Sequence, residues 1–225
     1  MATVTVPQAI AIKADPDSRF VLYNVGWDGY EAMLQIVGDR PIRLTYDQGN
    51  LELMSPSQPH EKNRELIGLL VVLMAMELEI PCETAGSTTW RRQTLDRGLE
   101  ADACYFLFDH AEYAKERTIN LNIDPPPDLA IEIETSRSAF NRRAIYAALG
   151  VPELWRFDGE RLIVERLRPD GTYEACAHSP AFPFLPLDEV VRLVKEGESM
   201  VFAQWGRMVQ EWVRNELRPR YPQQP

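Results

Sequence analysis

The spacing of hydrophobic residues along this 225-residue chain predicts two kinds of secondary structure. From residue 58 to about residue 78, hydrophobic side chains surround a helical projection almost completely, and Ser57 is placed to cap the first turn. This pattern predicts a long helix in the core. From residue 128 to residue 134 every second side chain is hydrophobic, beginning with Leu129, which predicts a strand with two different faces.

The same criteria predict the other elements and the class of fold. They are helices at 28–38, 138–149 and 199–217, hairpins of 42–45 with 51–54 and of 151–157 with 161–167, and strands at 86–90 and 101–108. With no convincing linker between them, they predict a single α/β domain over residues 1–225 (mixed α+β), in which helices flank a central mixed β-sheet. We expect the hydrophobic stripe of the last helix to pack on the core. Contact with a second subunit is the alternative.

Composition places the chain among intracellular globular proteins. Hydrophobic residues make up 45% of the sequence and charged residues 26%. The most apolar stretch, residues 66–76, is far shorter than the ~20 residues that cross a bilayer, and the N-terminus lacks the pattern of a signal peptide. The three cysteines lack the spacing of zinc ligands. We therefore predict a cytoplasmic protein without a membrane segment or a structural zinc site.

The charge of the chain restricts its contacts with nucleic acids. A net charge of −10 argues against a protein that coats DNA non-specifically, because such binding depends on many Lys and Arg side chains. Arginine nevertheless supplies 20 of the 24 basic residues. Several of these arginines flank a group of acidic residues in the middle of the chain: Arg91, Arg92, Arg97, Arg137, Arg142 and Arg143. Arginine suits forked contacts to phosphate, although each of these side chains could equally be a solvated surface group.

Three acidic residues lie in otherwise apolar strands. Asp102 interrupts the strand at 101–108, and Glu132 and Glu134 share one face of the strand at 128–134, about 6–7 Å apart. If the two strands are neighbours, three carboxylates converge, and a divalent cation would offset their repulsion. Hard oxygen ligands without a His/Cys set favour Mg²⁺ or Mn²⁺. Glutamates on an exposed strand face are the alternative explanation.

Several longer motifs resemble a known protein family. They are Leu-Glu-Leu-Met-Ser-Pro at 51–56, Gly-Ser-Thr-Thr at 86–89, Pro-Asp-Leu-Ala-Ile-Glu at 127–132 and Ile-Tyr-Ala-Ala-Leu-Gly-Val-Pro-Glu at 145–153. Together they resemble the Uma-two family of restriction endonucleases, within the PD-(D/E)XK nuclease superfamily, from about residue 45 to residue 157. The resemblance implies a restriction-endonuclease-like core at about 40–170 and a Mg²⁺-dependent phosphodiesterase site.

The resemblance also assigns roles to individual residues. Asp102 and Glu132 fall on the two acidic positions that hold the metal in the superfamily. Glu134 stands where the superfamily usually has lysine, and would orient water or bind a second ion. Arg142 falls on a basic position of the following helix, four residues before Tyr146, and would face the transition state.

Two further residues are candidates for substrate binding. His60 could contact phosphate or position a water molecule, and Arg143 neighbours the catalytic candidate Arg142. A surface or capping role for His60 is an equally good explanation. Trp155 and Tyr146 are best explained as core residues.

The absence of a site lysine leaves three functions open, since no lysine lies between Lys115 and Lys195. The leading hypothesis is a Mg²⁺-dependent (or Mn²⁺-dependent) DNA endonuclease. The first alternative is a binding protein with a nuclease fold and no catalysis. The second is a phosphodiesterase acting on RNA or on small phosphodiesters. A homodimer would suit the cutting of two strands, by analogy with two-fold symmetric DNA.

Overall fold

The computed structural model of the protein describes residues 17–86, 88–115 and 118–221, and in this part of the chain it contains two β-sheets and six α-helices. Residues 1–16, on which the expectation of no signal peptide rests, lie outside the described ranges. None of the helices in these ranges is long and apolar enough to cross a membrane.

The strands account for most of the regular structure around the site. They are β1 (Ser18–Leu22), β2 (Arg43–Asp47), β3 (Asn50–Ser55), β4 (Cys82–Thr84), β5 (Thr89–Arg92), β6 (Arg97–Glu100), β7 (Ala103–Leu107), β8 (Leu129–Ile133), β9 (Glu153–Phe157), β10 (Leu162–Leu167) and β11 (Tyr173–Cys176). The helices are α1 (Gly26–Val37), α2 (Gln58–Leu78), α3 (Asp109–Ala114), α4 (Arg142–Leu149), α5 (Leu187–Ser199) and α6 (Phe202–Trp212).

The central sheet is mixed, as the sequence predicts. Its six strands lie in the order β11-β10-β9-β8-β7-β4, and β8 and β9 form the parallel pair. The chain passes from β8 to β9 through α4, because parallel neighbours need a crossover and cannot be joined by a tight turn. Asp158 and Gly159 lie between β9 and β10, which form the predicted antiparallel hairpin.

A second sheet of five strands lies beside the first. Its order is β1-β3-β2-β6-β5, and every neighbouring pair is antiparallel. The β2–β3 hairpin was predicted, whereas β1 and the separation into two sheets were not. The restriction-endonuclease-like mixed α/β architecture is otherwise confirmed.

The two faces of the central sheet bury different partners. Leu129, Ile131 and Ile133 belong to a core that α2, α5 and α6 also form. Trp205 and the π-helical turn Val213–Leu217 that follows α6 contribute to that core, so the predicted stripe of the last helix packs within the chain. Ala130, on the opposite face, packs with α4 and with residues of the second sheet. The acidic positions lie on this second face.

Helix α4 is shorter than predicted at its N-terminal end. The expected start was residue 138, but the helix begins at Arg142 with Asn141 as its N-cap. The hydroxyl of Ser138 and the backbone N–H of Ala139 instead donate hydrogen bonds of 2.8 and 2.9 Å to Glu52. These long-range contacts hold residues 136–141 in a loop, and helical propensity does not reveal them.

Candidate active site

Asp102 lies immediately before β7 and is almost completely buried, with 1% of its surface exposed. One carboxylate oxygen, Oδ1, lies 3.1 Å from Nη1 of Arg43 and 3.0 Å from Nε2 of His60. The other, Oδ2, accepts a 2.7 Å hydrogen bond from the backbone N–H of Ile133 at the end of β8. Burial alone would raise the pKa of Asp102, but His60 and Arg43 outweigh it and lower the pKa. Asp102 is therefore held ionised.

His60 connects Asp102 to a second buried aspartate. The imidazole lies in the first turn of α2 and is fully buried, and its Nδ1 lies 3.3 Å from Oδ2 of Asp17. Burial lowers the pKa of His60, but the two aspartates outweigh this effect and raise the pKa to about 9. At neutral pH the ring is therefore an imidazolium. It donates from Nε2 to Asp102 and from Nδ1 to the hydroxyl of Thr135 at 3.3 Å, and it forms an ion pair with Asp17.

Glu132 lies in β8 and is paired with Arg142 of α4. The guanidinium donates from Nε to Oε2 at 2.8 Å and from Nη2 to Oε1 at 2.7 Å, and the hydroxyl of Tyr146 also donates to Oε1. Burial raises the pKa of Glu132, as does the charge of Asp102, while Arg142 opposes the shift. Tyr146, expected to be only a core residue, therefore contacts the site.

Arg142 joins α4 to both sheets. Besides its fork on Glu132, it donates from Nη2 to the carbonyl oxygen of Glu100 at 2.8 Å and from Nη1 to the hydroxyl of Thr45. Burial lowers the pKa of Arg142, but Glu132 outweighs this and holds it above its usual value. A guanidinium fixed in this way carries a permanent charge and cannot accept a proton.

Glu134 and Arg143 lie nearer the solvent. Glu134 follows the end of β8, and its half-exposed carboxylate pairs with Nη1 of Arg156 at 2.9 Å. Arg143 pairs with Glu165 at 2.6 Å, and its side chain is 41% exposed. Unlike Asp102 and Glu132, these two side chains are partly exposed, although the Glu165 carboxylate that pairs with Arg143 is buried.

Two carboxylates that sequence reasoning missed hold the loop after β8. Asp17 accepts hydrogen bonds from the hydroxyls of Thr135 and Ser136 at 2.9 and 2.7 Å. Glu52 accepts from Arg19 Nη1 at 2.7 Å as well as from the loop. Glu52 could have been found by the criterion that singled out Asp102, since it is a charged residue inside an apolar strand. Asp17 has no such signal.

A cavity of about 490 Å³ opens next to Glu132. Loop 134–141 and the first turn of α4 form much of its wall. Five arginines and two glutamates contribute to the lining: Arg19, Arg137, Arg142, Arg143, Arg156, Glu132 and Glu134. Although the chain as a whole is acidic, this cavity is basic.

The carboxylates of Asp102 and Glu132 are oxygen ligands of the kind that hard divalent cations prefer. The Asp102 carboxylate takes three donor contacts and the Glu132 carboxylate takes three, so about one of the roughly four lone-pair sites of each remains. Within the described ranges, no three His, Cys, Asp or Glu side chains form a metal-binding group. Two protein oxygens completed by water and phosphate oxygens would suit Mg²⁺, which commonly keeps several waters.

Comparison with known proteins identifies the family. Residues 27–195 match the model of the Uma2 family, which is described as "Putative restriction endonuclease". The comparison with curated proteins found no match. The matched region contains Asp102 and Glu132 with their ion-pair partners, and it contains the part of the cavity wall formed by residues 134–143. Membership supports a nuclease function and a nucleic-acid substrate, in a superfamily that generally uses divalent metals. Since the match extends over well more than half of the sequence, the chain belongs to the Uma2 family of restriction-endonuclease-like proteins.

Proposed function

We propose that the protein is a Mg²⁺-dependent endonuclease, active also with Mn²⁺, that hydrolyses phosphodiester bonds of DNA. One observation carries the proposal. Two carboxylates are buried close to neighbouring strands, Asp102 just before β7 and Glu132 in β8. Glu132 pairs with the fixed arginine Arg142, and these two residues line a basic cavity. Buried ionisable groups with shifted pKa values cluster at functional sites, and this supports a site that binds a cation and a phosphate.

Asp102 and Glu132 would hold the cation. When bound, such an ion would polarise the phosphodiester and acidify a water molecule. Arg142 cannot serve as a general base, so its contribution is electrostatic: it lies along the cavity wall with its charge fixed before the reaction begins. Glu134, half-exposed on the same wall, would orient the attacking water.

We assign His60 a positioning role in place of the phosphate contact predicted from the sequence. Its ring is fully buried and both nitrogens already face carboxylates, so a phosphate has no access to it. By donating to Asp102, His60 fixes the orientation of that carboxylate and favours its ionised form.

A non-catalytic nucleic-acid-binding protein is the second candidate. Arg142 and Tyr146 already occupy both oxygens of Glu132, and no site lysine is present in the sequence. A protein of this kind would keep the basic cavity and lose cleavage.

We also propose that both sheets belong to one domain, since buried ion pairs such as Arg43–Asp102 join them. A homodimer would supply one site for each DNA strand.

Plasmid cleavage separates the two functions. We expect supercoiled DNA to be nicked in Mg²⁺ or Mn²⁺ and to stay intact in EDTA, and Asp102→Asn and Glu132→Gln to abolish nicking. Asp39→Asn, at an exposed position after α1, is the matched control and should retain full activity. Intact plasmid under all metal conditions, with DNA still bound, would favour the non-catalytic candidate. Full activity in Asp102→Asn would refute the assignment of the site.

A further inference from the structure

We propose that the basic cavity receives one nucleotide of an unpaired DNA strand. Its flanking phosphates would lie at Arg137 and Arg143, and its base would stack on Phe140. This inference rests on the proposed function, because it specifies the form of DNA that reaches Glu132. It concerns residues outside the buried pairs of the site, and it can be tested without any cleavage.

The size and depth of the cavity select an unpaired strand. A volume of about 490 Å³ lies within the ~300–1,000 Å³ that accommodates drug-sized ligands, and a single nucleotide is of that size. A sphere of that volume is about 10 Å across, less than the ~12 Å width of the major groove alone, so a whole duplex cannot enter the cavity. Glu132 is only 5% exposed, so a phosphodiester must enter the cavity to approach it.

Two arginines on the wall are available for phosphate. Arg137 is exposed and has neither an ion pair nor a hydrogen bond to its side chain within the described part of the protein. Arg143 lies in the first turn of α4 with 41% of its side chain exposed. Its Nε and Nη2 contact Glu165 and the carbonyl oxygen of Tyr173, which leaves Nη1 for a phosphate oxygen, and Arg156 also pairs with Glu165. Guanidinium groups bind phosphate through forked hydrogen bonds, and the N-terminal end of α4 adds a favourable field for an anion.

Phe140 supplies a surface for a base. Phe140 contributes to the wall and is partly exposed, whereas Tyr146 on the same wall is fully buried. A partly exposed aromatic ring beside cationic side chains is the usual arrangement for binding single strands, because every base can stack on it. Stacking requires the flat face of a base, which a paired base inside a duplex does not offer.

The wall is fixed before a ligand arrives. Glu52 holds Ser138 and Ala139, and Asp17 holds Ser136, all through hydrogen bonds of 2.7–2.9 Å. Because the loop is already ordered, binding costs less conformational entropy. The position of Phe140 between these anchors and α4 is therefore preset.

Fluorescence anisotropy in EDTA tests the proposal with short labelled oligonucleotides: a single DNA strand, the matching duplex and the matching RNA strand. Arg137→Gln and Arg143→Gln should each weaken binding of the DNA strand roughly tenfold. Each should also reduce the slope of log K against log salt by ~0.7. Phe140→Leu, which keeps an apolar side chain, should weaken binding about tenfold, and Phe140→Tyr should restore it.

Arg207→Gln is the matched control, since Arg207 is exposed on α6, away from the cavity, and should bind like wild type. Equal affinities for Arg137→Gln and Arg207→Gln would overturn the phosphate subsite. Tighter binding of the duplex than of the single strand would overturn the unpaired substrate, and tighter binding of RNA would overturn DNA as the ligand. If wild type cuts DNA but the cavity variants bind the single strand like wild type, this inference alone is refuted. If the cavity variants weaken binding but wild type does not cut DNA, the proposed activity alone is refuted.

Discussion

Removing the guanidinium of Arg142 should destabilise the protein strongly, because the side chain compensates a buried charge. Arg142→Met keeps an unbranched apolar chain but leaves Glu132, whose side chain is 7% exposed, without its cation. Breaking a buried pair by removing one partner costs about 3–5 kcal/mol. Tyr146 still donates to the carboxylate, so we expect a loss near ~3 kcal/mol. For a chain of this length that corresponds to a fall in Tm of roughly 6–12 °C.

Urea unfolding followed by tryptophan fluorescence and circular dichroism measures this loss, and a double-mutant cycle assigns it to the pair. Glu132→Gln with Arg142→Met should be more stable than the sum of the single changes predicts, by at least ~1 kcal/mol, since no uncompensated charge remains. Arg166→Met, in the exposed pair with Glu174, is the control and should change stability little. If the two substitutions change the free energy of unfolding additively, this explanation is refuted.

The pH dependence of the same variant gives a further check. Burial raises the pKa of Glu132, and without Arg142 the pKa should rise more. A carboxyl whose pKa is higher in the folded than in the unfolded state binds more protons when folded. The stability of Arg142→Met should therefore fall as pH increases from about 4.5, the ordinary glutamate pKa, through the raised pKa. A stability that rises with pH over that window would contradict this assignment.

The other predictions concern activity, metal binding and the histidine. If wild type cuts DNA, Arg142→Ala should reduce the cleavage rate ~10²–10³-fold, as expected for the loss of one preorganised donor. Arg142→Lys should keep a sizeable fraction of the rate. Equal rates for wild type and Arg142→Ala would exclude a role for Arg142 in cleavage. Mg²⁺ or Mn²⁺ should raise the Tm, and Asp102→Asn should remove most of that rise, whereas an equal rise in both would place the ion elsewhere. Protonated His60 should stabilise the folded state fully below pH ~6.5, and this stabilisation, roughly 3 kcal/mol in all, should be lost as pH rises through about 9. In urea titrations the free energy of unfolding of His60→Gln should not show this loss.

The elements around the site could be predicted because their signals are local. The alternation of apolar residues predicted that Glu132 lies on the face opposite Leu129. The turn residues Asp158 and Gly159 predicted a hairpin, and the apolar residues on all sides of α2 predicted that this helix lies in the core. These signals depend on spacing and turn chemistry within a few residues of one another, so a single sequence contains them. The resemblance added the family and drew attention to Asp102 and Arg142.

The tertiary structure decided which group compensates each buried charge. Asp102 takes its cations from Arg43 and His60, and Glu52 takes its cation from Arg19, over long separations in the chain. Such pairs depend on how two sheets and a helix pack, and periodicity within one element contains no information about packing. For the same reason the sequence could present His60 as a surface residue, while the fold buries it between two aspartates.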